Sequence, residues 1–321
     1  MINERANKIN EIVSRINTHP EYSSCVKREV FHAQREEAQK HSLDLELEGE
    51  GKKLTKNERV MILGRLDEAW KFLCERGMDI FSLAKLGAII EPEPNKTGSF
   101  RNSQTKFGDF WPTPPTDIHY EIEQLVYQTN NSDLSPVERA SNIHLGLVKI
   151  HPFIDGNGRA ARLAQNFCLH QRGYPLVIIP SNERGKYLEI IGNALRDRYN
   201  FDSGVLRQSD AERRFHEYIE SKVFESSLDL EKELKQRRMY QIELKGIDGP
   251  QTGHILAKVI RNIGRNRPDS RGGITVSVSK NGGKRAMTLD VVGDVSTEEI
   301  TSTLDAQGRF RFSYDINNKY C

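Results

Sequence analysis

The stretch His151-Pro-Phe-Ile-Asp-Gly-Asn-Gly-Arg-Ala-Ala-Arg162 constrains this chain more than any other. It gathers a histidine, an acid, two glycines, an amide and two arginines between two helical signals. Upstream, Ser135-Pro136-Val137-Glu138 reads as a capping box with proline at the first helical position. Val137, Ala140, Ile143, Leu147 and Ile150 then follow at helical spacing. Pro152 biases His151 away from helical geometry, so this helix should end at His151 and hold the imidazole at its rim. A second helix should begin near Asn157, with Ala160, Leu163, Ala164 and Phe167 inward, and stop at Gly173 and Pro175.

The loop between the helices has the makings of an anion site. Gly156 and Gly158 let the backbone come close to a ligand. Free N–H groups at a helix start, together with the helix dipole, attract phosphate. Asn157 adds a side-chain donor. Arg159 and Arg162, three apart on one helical face, add forked donors for phosphate oxygens. Asp155 beside such phosphates is placed to hold Mg²⁺, an oxygen-seeking ion shared with the substrate. His151 has the one ordinary pKa near neutrality here and is the candidate general base. Phe153 reads as a core anchor.

At every defining position this stretch resembles the signature of the Fic family (Fic/Doc, or Fido, fold). The resemblance implies a mainly α fold: a Fic-type helical bundle over about residues 80–200 with a short β-hairpin flap. It also implies transfer of AMP from ATP to a hydroxyl of a target protein. On that likeness His151 is the base, Asp155 the Mg²⁺ ligand, Gly156, Asn157 and Gly158 the hole for the α- and β-phosphates, and Arg159 and Arg162 the arginines for the β- and γ-phosphates. The phosphorylating Doc branch carries lysine where this chain has Gly158, so Gly158 favours nucleotidyl transfer. Tyr187 falls where family members pack a tyrosine on the nucleotide base, with Asn193 near it. Phe100-Arg101-Asn102-Ser103-Gln104-Thr105-Lys106 falls where the family places its target-binding flap, which pairs with the target as an added strand.

Many Fic proteins carry an inhibitory helix before the core, with a Ser or Thr, three residues, Glu, and then Gly or Asn. Glu48-Gly49 fits the end of that pattern, and Leu54-Thr55-Lys56-Asn57-Glu58 fits the helix start that follows it. Asp44 stands where the hydroxyl residue is expected. Ser42 and Glu46 keep the spacing but are followed by Leu47. Glu48 is therefore the first candidate for an inhibitory carboxylate on Arg162, and Glu46 the second. The acids of this run also read as a solvated face, and both readings stay open.

The remaining chain supplies bounds. Its 321 residues suggest two to three domains, and we expect an N-terminal helical regulatory segment over 1–54, a Fic domain with flanking helices over 55–245, and a small α+β module over 246–321. Helices are expected over 55–76, with Val60, Ile62, Leu63, Leu66, Trp70 and Leu73 inward, and over 79–90, 115–130, 182–197 and 210–244. In the last module, 273–279 and 286–292 read as strands joined at Asn281-Gly-Gly283, Ser296-Thr-Glu-Glu299 caps a helix, and 308–314 is a final strand. A net charge of +2 offers no general field for nucleic acid, and the scattered Arg261, Arg265, Arg267 and Arg271 of the last module read first as solvated surface. No apolar run has membrane length, no basic-then-apolar leader opens the sequence, and four scattered cysteines have neither metal nor disulfide spacing. These features point to the cytoplasm. The expected reaction partners are ATP, with Mg²⁺, and an unknown target protein with a Ser, Thr or Tyr hydroxyl, self-modification included. Another donor (UMP, phosphoryl or phosphocholine), removal of AMP, and a non-catalytic interaction role are the alternatives.

Overall fold

A computed structural model describes residues 2–18, 24–50, 53–106, 108–131, 133–200, 209–236, 238–247, 250–263, 274–280, 286–293, 295–308 and 312–318. The protein is mainly helical, and the chain divides into two compact units, residues 1–13 with 34–227 and residues 14–33 with 228–321.

The first unit is built around two helices, α6 (Pro136–Ile150) and α7 (Asn157–His170), which pack on each other through the motif loop. Ser135 caps α6 with Glu138 reciprocating, and Val137, Ala140, Ile143, Leu147 and Ile150 are all buried, as the periodicity requires. Around this pair lie α3 (Lys56–Arg76), α4 (Ile80–Ile90), α5 (Ile118–Asn131) and α8 (Arg184–Asn200). Thr55 and Glu58 make the expected capping box on α3, and Gly77 ends that helix with a positive φ of 77°. Leu66, Trp70 and Leu73 turn inward, whereas Val60 is 64% exposed in the first turns. Gly87 has a packing reason: a Cβ there would stand 2.3 Å from the ring of Phe153, the anchor of the motif loop.

Two helices precede this core, α1 (Ile2–Thr18) and α2 (Ser24–Glu50). α2 continues through the acidic run, so Ser42, Asp44 and Glu46 are all helical. Leu43 and Leu45 are buried and fix its rotation. Cys168, on α7, is a buried thiol whose pKa is pushed up by burial to about 12.

The second unit contains a four-stranded antiparallel sheet in the order β2-β3-β1-β4, from β1 (Arg238–Lys245), β2 (Thr275–Lys280), β3 (Ala286–Gly293) and β4 (Ser313–Asn318). With α10 (Pro250–Ile263) after β1 and α11 (Thr297–Asp305) after β3, the chain order is β-α-β-β-α-β, the split βαβ or ferredoxin-like arrangement. Tyr240, Ile242, Leu244, Leu289 and Val291 pack with Leu256, Ile260, Ile300 and Leu304 in its core. The charged helix expected over 210–244 ends earlier, as α9 (Asp210–Gln236). Residues 238–245 have period-2 burial at Tyr240, Ile242 and Leu244, and join the sheet through β3 and β4. The last strand begins at Ser313 rather than at residue 308. The proposed turn Asn281-Gly-Gly283 and Arg265, Arg267 and Arg271 lie outside the described residues.

Candidate active site

His151 closes α6 in the left-handed conformation (φ 53°, ψ 58°) and is the one non-glycine residue with positive φ among those described. Pro152 thus ends the helix as expected, but the residue before it turns left-handed rather than extended. Such a conformation costs of order 1–3 kcal/mol and persists where its surroundings enforce it. Here the enforcement is visible. The His151 N–H donates to the Leu147 carbonyl (2.9 Å), and Arg101 Nε donates to the His151 carbonyl (2.7 Å). Burial pushes the His151 pKa down to about 4, so the imidazole is neutral near pH 7 and able to accept a proton.

The loop after His151 is held by amides. Asn157 is engaged at both ends: its Oδ1 accepts from the Phe153 N–H and its Nδ2 donates to the Phe153 carbonyl, each at 2.9 Å. Its side chain braces the loop, so its backbone N–H, at the start of α7, is the better donor for an anion. Asn95 braces the loop from outside the motif. Its Nδ2 donates to the carbonyls of Gly87, Glu91 and Asp155, and its Oδ1 accepts the Ile154 N–H at 3.0 Å. Gly156 has φ 85°, and a Cβ there would press on Ile90 and Glu91. The Asp155 side chain is 57% exposed, and its Oδ1 accepts the Gly156 N–H at 2.6 Å.

The two arginines point to different partners. Arg159 pairs with Glu91, which stands at the end of α4, and lies 3.5 Å from Asp155. Arg162 pairs with α2: Nε donates to Ser42 Oγ (2.8 Å), and Nη2 donates to the Ser42 carbonyl (3.1 Å) and to Glu46 Oε1 (2.6 Å). The same Glu46 oxygen would lie 2.6 Å from a Cβ at Gly158, so a carboxylate rests on the first turn of α7 where only glycine leaves room. Burial raises the Glu46 pKa, but the charges of Arg162, Arg159 and Arg184 outweigh it and hold the carboxyl below its usual range. Of the two carboxylates anticipated, Glu46 is the one on Arg162. Ser42 and Glu46, four apart, share a helix face. Asp44 instead pairs with Arg59 at 2.7 Å. The Glu48 side chain lies outside the described residues.

Other anticipated residues are placed differently. Residues 98–106 form no strand ladder among the described residues, so the expected hairpin flap is an irregular loop here. Phe100 and Arg101 turn inward: Phe100 packs against Phe153 and His119, and Arg101 also donates to the carbonyls of Ser103, Thr113 and Ile150. A guanidinium with several carbonyl acceptors is better satisfied beneath the loop than in a strand. Asn102, Ser103, Gln104 and Lys106 are exposed, and Thr105 is half-buried. Tyr187 is buried with its hydroxyl 2.9 Å from His144 Nε2, so that hydroxyl faces the core. Asn193 accepts from Arg196 on its own helix at 2.6 Å. Glu91, Asn95 and His144 escaped the sequence reading, because no local spacing ties them to the motif.

A helix, a neutral histidine at its rim, a glycine loop and a second helix opening on two arginines are thus brought together at one place. Residues 80–169 match the Fic/DOC family. A protein adenylyltransferase Fic of Drosophila virilis is 33% identical over 180 residues, covering 55% of this chain and 34% of the relative. One of Drosophila persimilis is 41% identical over 102 residues, covering 31% and 20%. The chain therefore spans about a third or less of the length of these relatives. Among solved structures, a Fic domain-containing signaling protein from Bacteroides thetaiotaomicron superposes with a TM-score of 0.60 at 20% identity, covering 72% of this chain and 97% of the other. Fic-1 from C. elegans gives 0.56 at 19% identity, covering 73% and 72%. These superpositions establish the helical Fic fold. No helix among the described residues is long and apolar enough to cross a membrane.

Proposed function

We propose that this protein transfers AMP from Mg·ATP to a Ser, Thr or Tyr hydroxyl of a protein, and that Glu46 holds the site in check. The observation that carries the reading is the Glu46 carboxylate seated on Gly158 and Arg162. The first turn of α7 already binds an anionic oxygen, and that oxygen belongs to the chain itself. A phosphate in the same place would meet the same donors, and the two compete.

In the proposed reaction His151 takes the proton as the target oxygen attacks the α-phosphorus. The bond from that oxygen to phosphorus forms, the bond from the α-phosphorus to the β-bridging oxygen breaks, and pyrophosphate leaves. The N–H groups opening α7, with Arg159 and Arg162, are set to take the charge of the leaving group. Asp155 fits a Mg²⁺ shared with phosphates, because its carboxylate is exposed at the edge of the loop. No group of three or more candidate metal ligands forms a self-sufficient cage among the described residues. Bound there, the ion would neutralise phosphate charge. The N-terminal segment over 1–54 keeps its regulatory assignment on this reading, beside a Fic domain over 55–245 and a module over 246–321. Residues 102–106, of which Thr105 alone is half-buried, remain the proposed contact for the target segment.

The test compares wild type with Glu46→Gly, each with Mg²⁺ and ATP labelled on the α- or the γ-phosphate. α-Label on protein, stronger in Glu46→Gly, is the expected result. γ-Label alone would move the protein to phosphoryl transfer. No label together with no ATP binding by calorimetry would overturn the enzymatic reading.

A further inference from the structure

The two arginines of the motif differ in what stays beside them if α2 gives way. Arg162 is paired with Ser42 and Glu46, and both belong to α2. Arg159 is paired with Glu91 and lies near Asp155, and neither belongs to α2. Glu91 closes α4, where its N–H donates to the Gly87 carbonyl at 2.9 Å. Its own carbonyl accepts from the Asn95 N–H at 3.2 Å and from Asn95 Nδ2 at 3.0 Å. The same Nδ2 donates to the Asp155 carbonyl at 3.0 Å, so one amide ties the end of α4 to the motif loop. The stem of Glu91 runs beneath Gly156, where a Cβ would stand 3.3 Å from its Cγ. Two carboxylates on fixed backbone therefore flank one guanidinium.

The guanidinium is not shared evenly between them. Arg159 Nη1 donates to Glu91 Oε1. Nη2 stands 3.5 Å from Asp155 Oδ1, beyond the roughly 2.7–3.2 Å of a formed N–H···O bond. Arg159 Nε is buried with no hydrogen-bond partner among the described residues. The Arg159 side chain is 7% exposed and that of Glu91 17%, so little water competes for their pair. The other Glu91 oxygen, Oε2, lies 3.9 Å from Arg65 on α3. Asp155 Oδ1 already accepts the Gly156 N–H at 2.6 Å, which leaves Oδ2 to an ion. A guanidinium presents its donors as a rigid fork that fits a carboxylate at two points. Glu91 holds one arm of that fork and keeps the other from closing on Asp155. With the charge of Glu91 gone, the fork is drawn to Asp155 and takes the carboxylate that an ion needs.

We propose that Glu91 is a positioning residue that holds Arg159 back from Asp155 and so keeps the Asp155 carboxylate open to the Mg²⁺ of the nucleotide. This rests on the nucleotide-transfer reading above and adds to it a residue outside the motif that sets how much the metal contributes to binding. Glu91 touches neither the ion nor the nucleotide and acts through the arginine.

The experiment measures ATP affinity by calorimetry, with Mg²⁺ and with EDTA, in Glu46→Gly and in Glu46→Gly/Glu91→Gln. The ratio of the two affinities is the contribution of the metal. Glu46→Gly should bind ATP more tightly with Mg²⁺. Adding Glu91→Gln should cut the ratio about tenfold, as loss of a group that orients a metal ligand does, while metal-free affinity is kept. Adding Arg159→Gln as well takes away the arm that closes on Asp155 and should bring the ratio back up. A ratio unchanged by Glu91→Gln would overturn the positioning role and leave the proposed function standing. Equal losses with and without Mg²⁺ would also overturn it, because they mark general damage to the site. So would a ratio that Arg159→Gln fails to restore, since Glu91 would then not act through the arginine. Equal affinities of Glu46→Gly with and without Mg²⁺ would take the ion from Asp155 and this inference with it. Failure of Glu46→Gly to bind ATP in either condition would overturn the nucleotide reading itself. Should Glu91→Gln not fold, Glu91→Asp in the same background keeps the charge and draws the carboxylate back by one methylene. It is expected to lower the ratio in the same direction, and an unchanged ratio overturns the proposal.

Discussion

The loop between α6 and α7 and the stretch of α2 that lies on it are held in opposite ways. The loop is tied down by amide and carbonyl bonds: Asn157 to Phe153, Asn95 to Ile154 and Asp155, and Arg101 to His151. Each of these satisfies backbone groups that would otherwise be buried without partners, and leaving such a group unsatisfied costs about 1–3 kcal/mol. The α2 stretch is held largely by charge: Glu46 to Arg162, Asp44 to Arg59 and Arg35 to Asp67, with Leu43 and Leu45 as its apolar contacts. Ion pairs at a partly open surface are worth little once salt or a competing anion is present. On the proposed function, this division lets the loop stay fixed while Glu46 gives way to a phosphate.

The comparison can be broken at its strongest point first. His151→Ala should lower AMP transfer by about 10²- to 10⁴-fold in a Glu46→Gly background, with ATP affinity kept, as measured with α-labelled ATP and calorimetry. The pH dependence has a definite sign. Burial lowers the pKa of His151 to about 4, so the neutral, proton-accepting form persists well below the ordinary histidine value and is lost only as pH falls through about 4. An acid limb of kcat/KM near 6.5 would mean an imidazole in water rather than the buried one described here.

A smaller effect separates the two kinds of support. Asn95→Ala strips the Ile154 N–H and the Asp155 carbonyl of their partner and should destabilise the protein by roughly 1–3 kcal/mol, read as a lower urea midpoint. It should also weaken Mg·ATP binding, since the loop that carries Asp155 loses its outer brace. The smallest effect belongs to the α2 side. Asp44→Ala removes a pair whose side chains are 29% and 39% exposed, and should change stability by about 1 kcal/mol or less after screening. A larger loss there than at Asn95 would reverse the contrast between loop and cover.

Much of this arrangement was legible in the sequence because its causes are local. The capping boxes at Thr55, Ser135 and Ser296, the stop at Pro152 and the glycines flanking Asn157 each act within a few residues of chain, and the helices begin and end where they direct. The strand at residues 238–245 was missed for the converse reason. Its charged flank matched a helix, and only pairing with β3 and β4 gives its alternation a face to bury.

The sequence by itself determined that His151 and the Gly156-Asn157-Gly158 loop sit between two helices, because spacing, proline and glycine act on the backbone locally. Only the tertiary structure decided which groups meet there. The rotation of α2, set by burial of Leu43 and Leu45, brings Ser42 and Glu46 to Arg162 and sends Asp44 to Arg59. The carbonyls beneath His151 draw Arg101 inward from the flap. The need of two buried polar groups for a partner brings the Tyr187 hydroxyl to His144. Each of these joins residues far apart in the chain, and a hydrogen bond between them is settled by which buried donor is left without a partner, something no local spacing encodes.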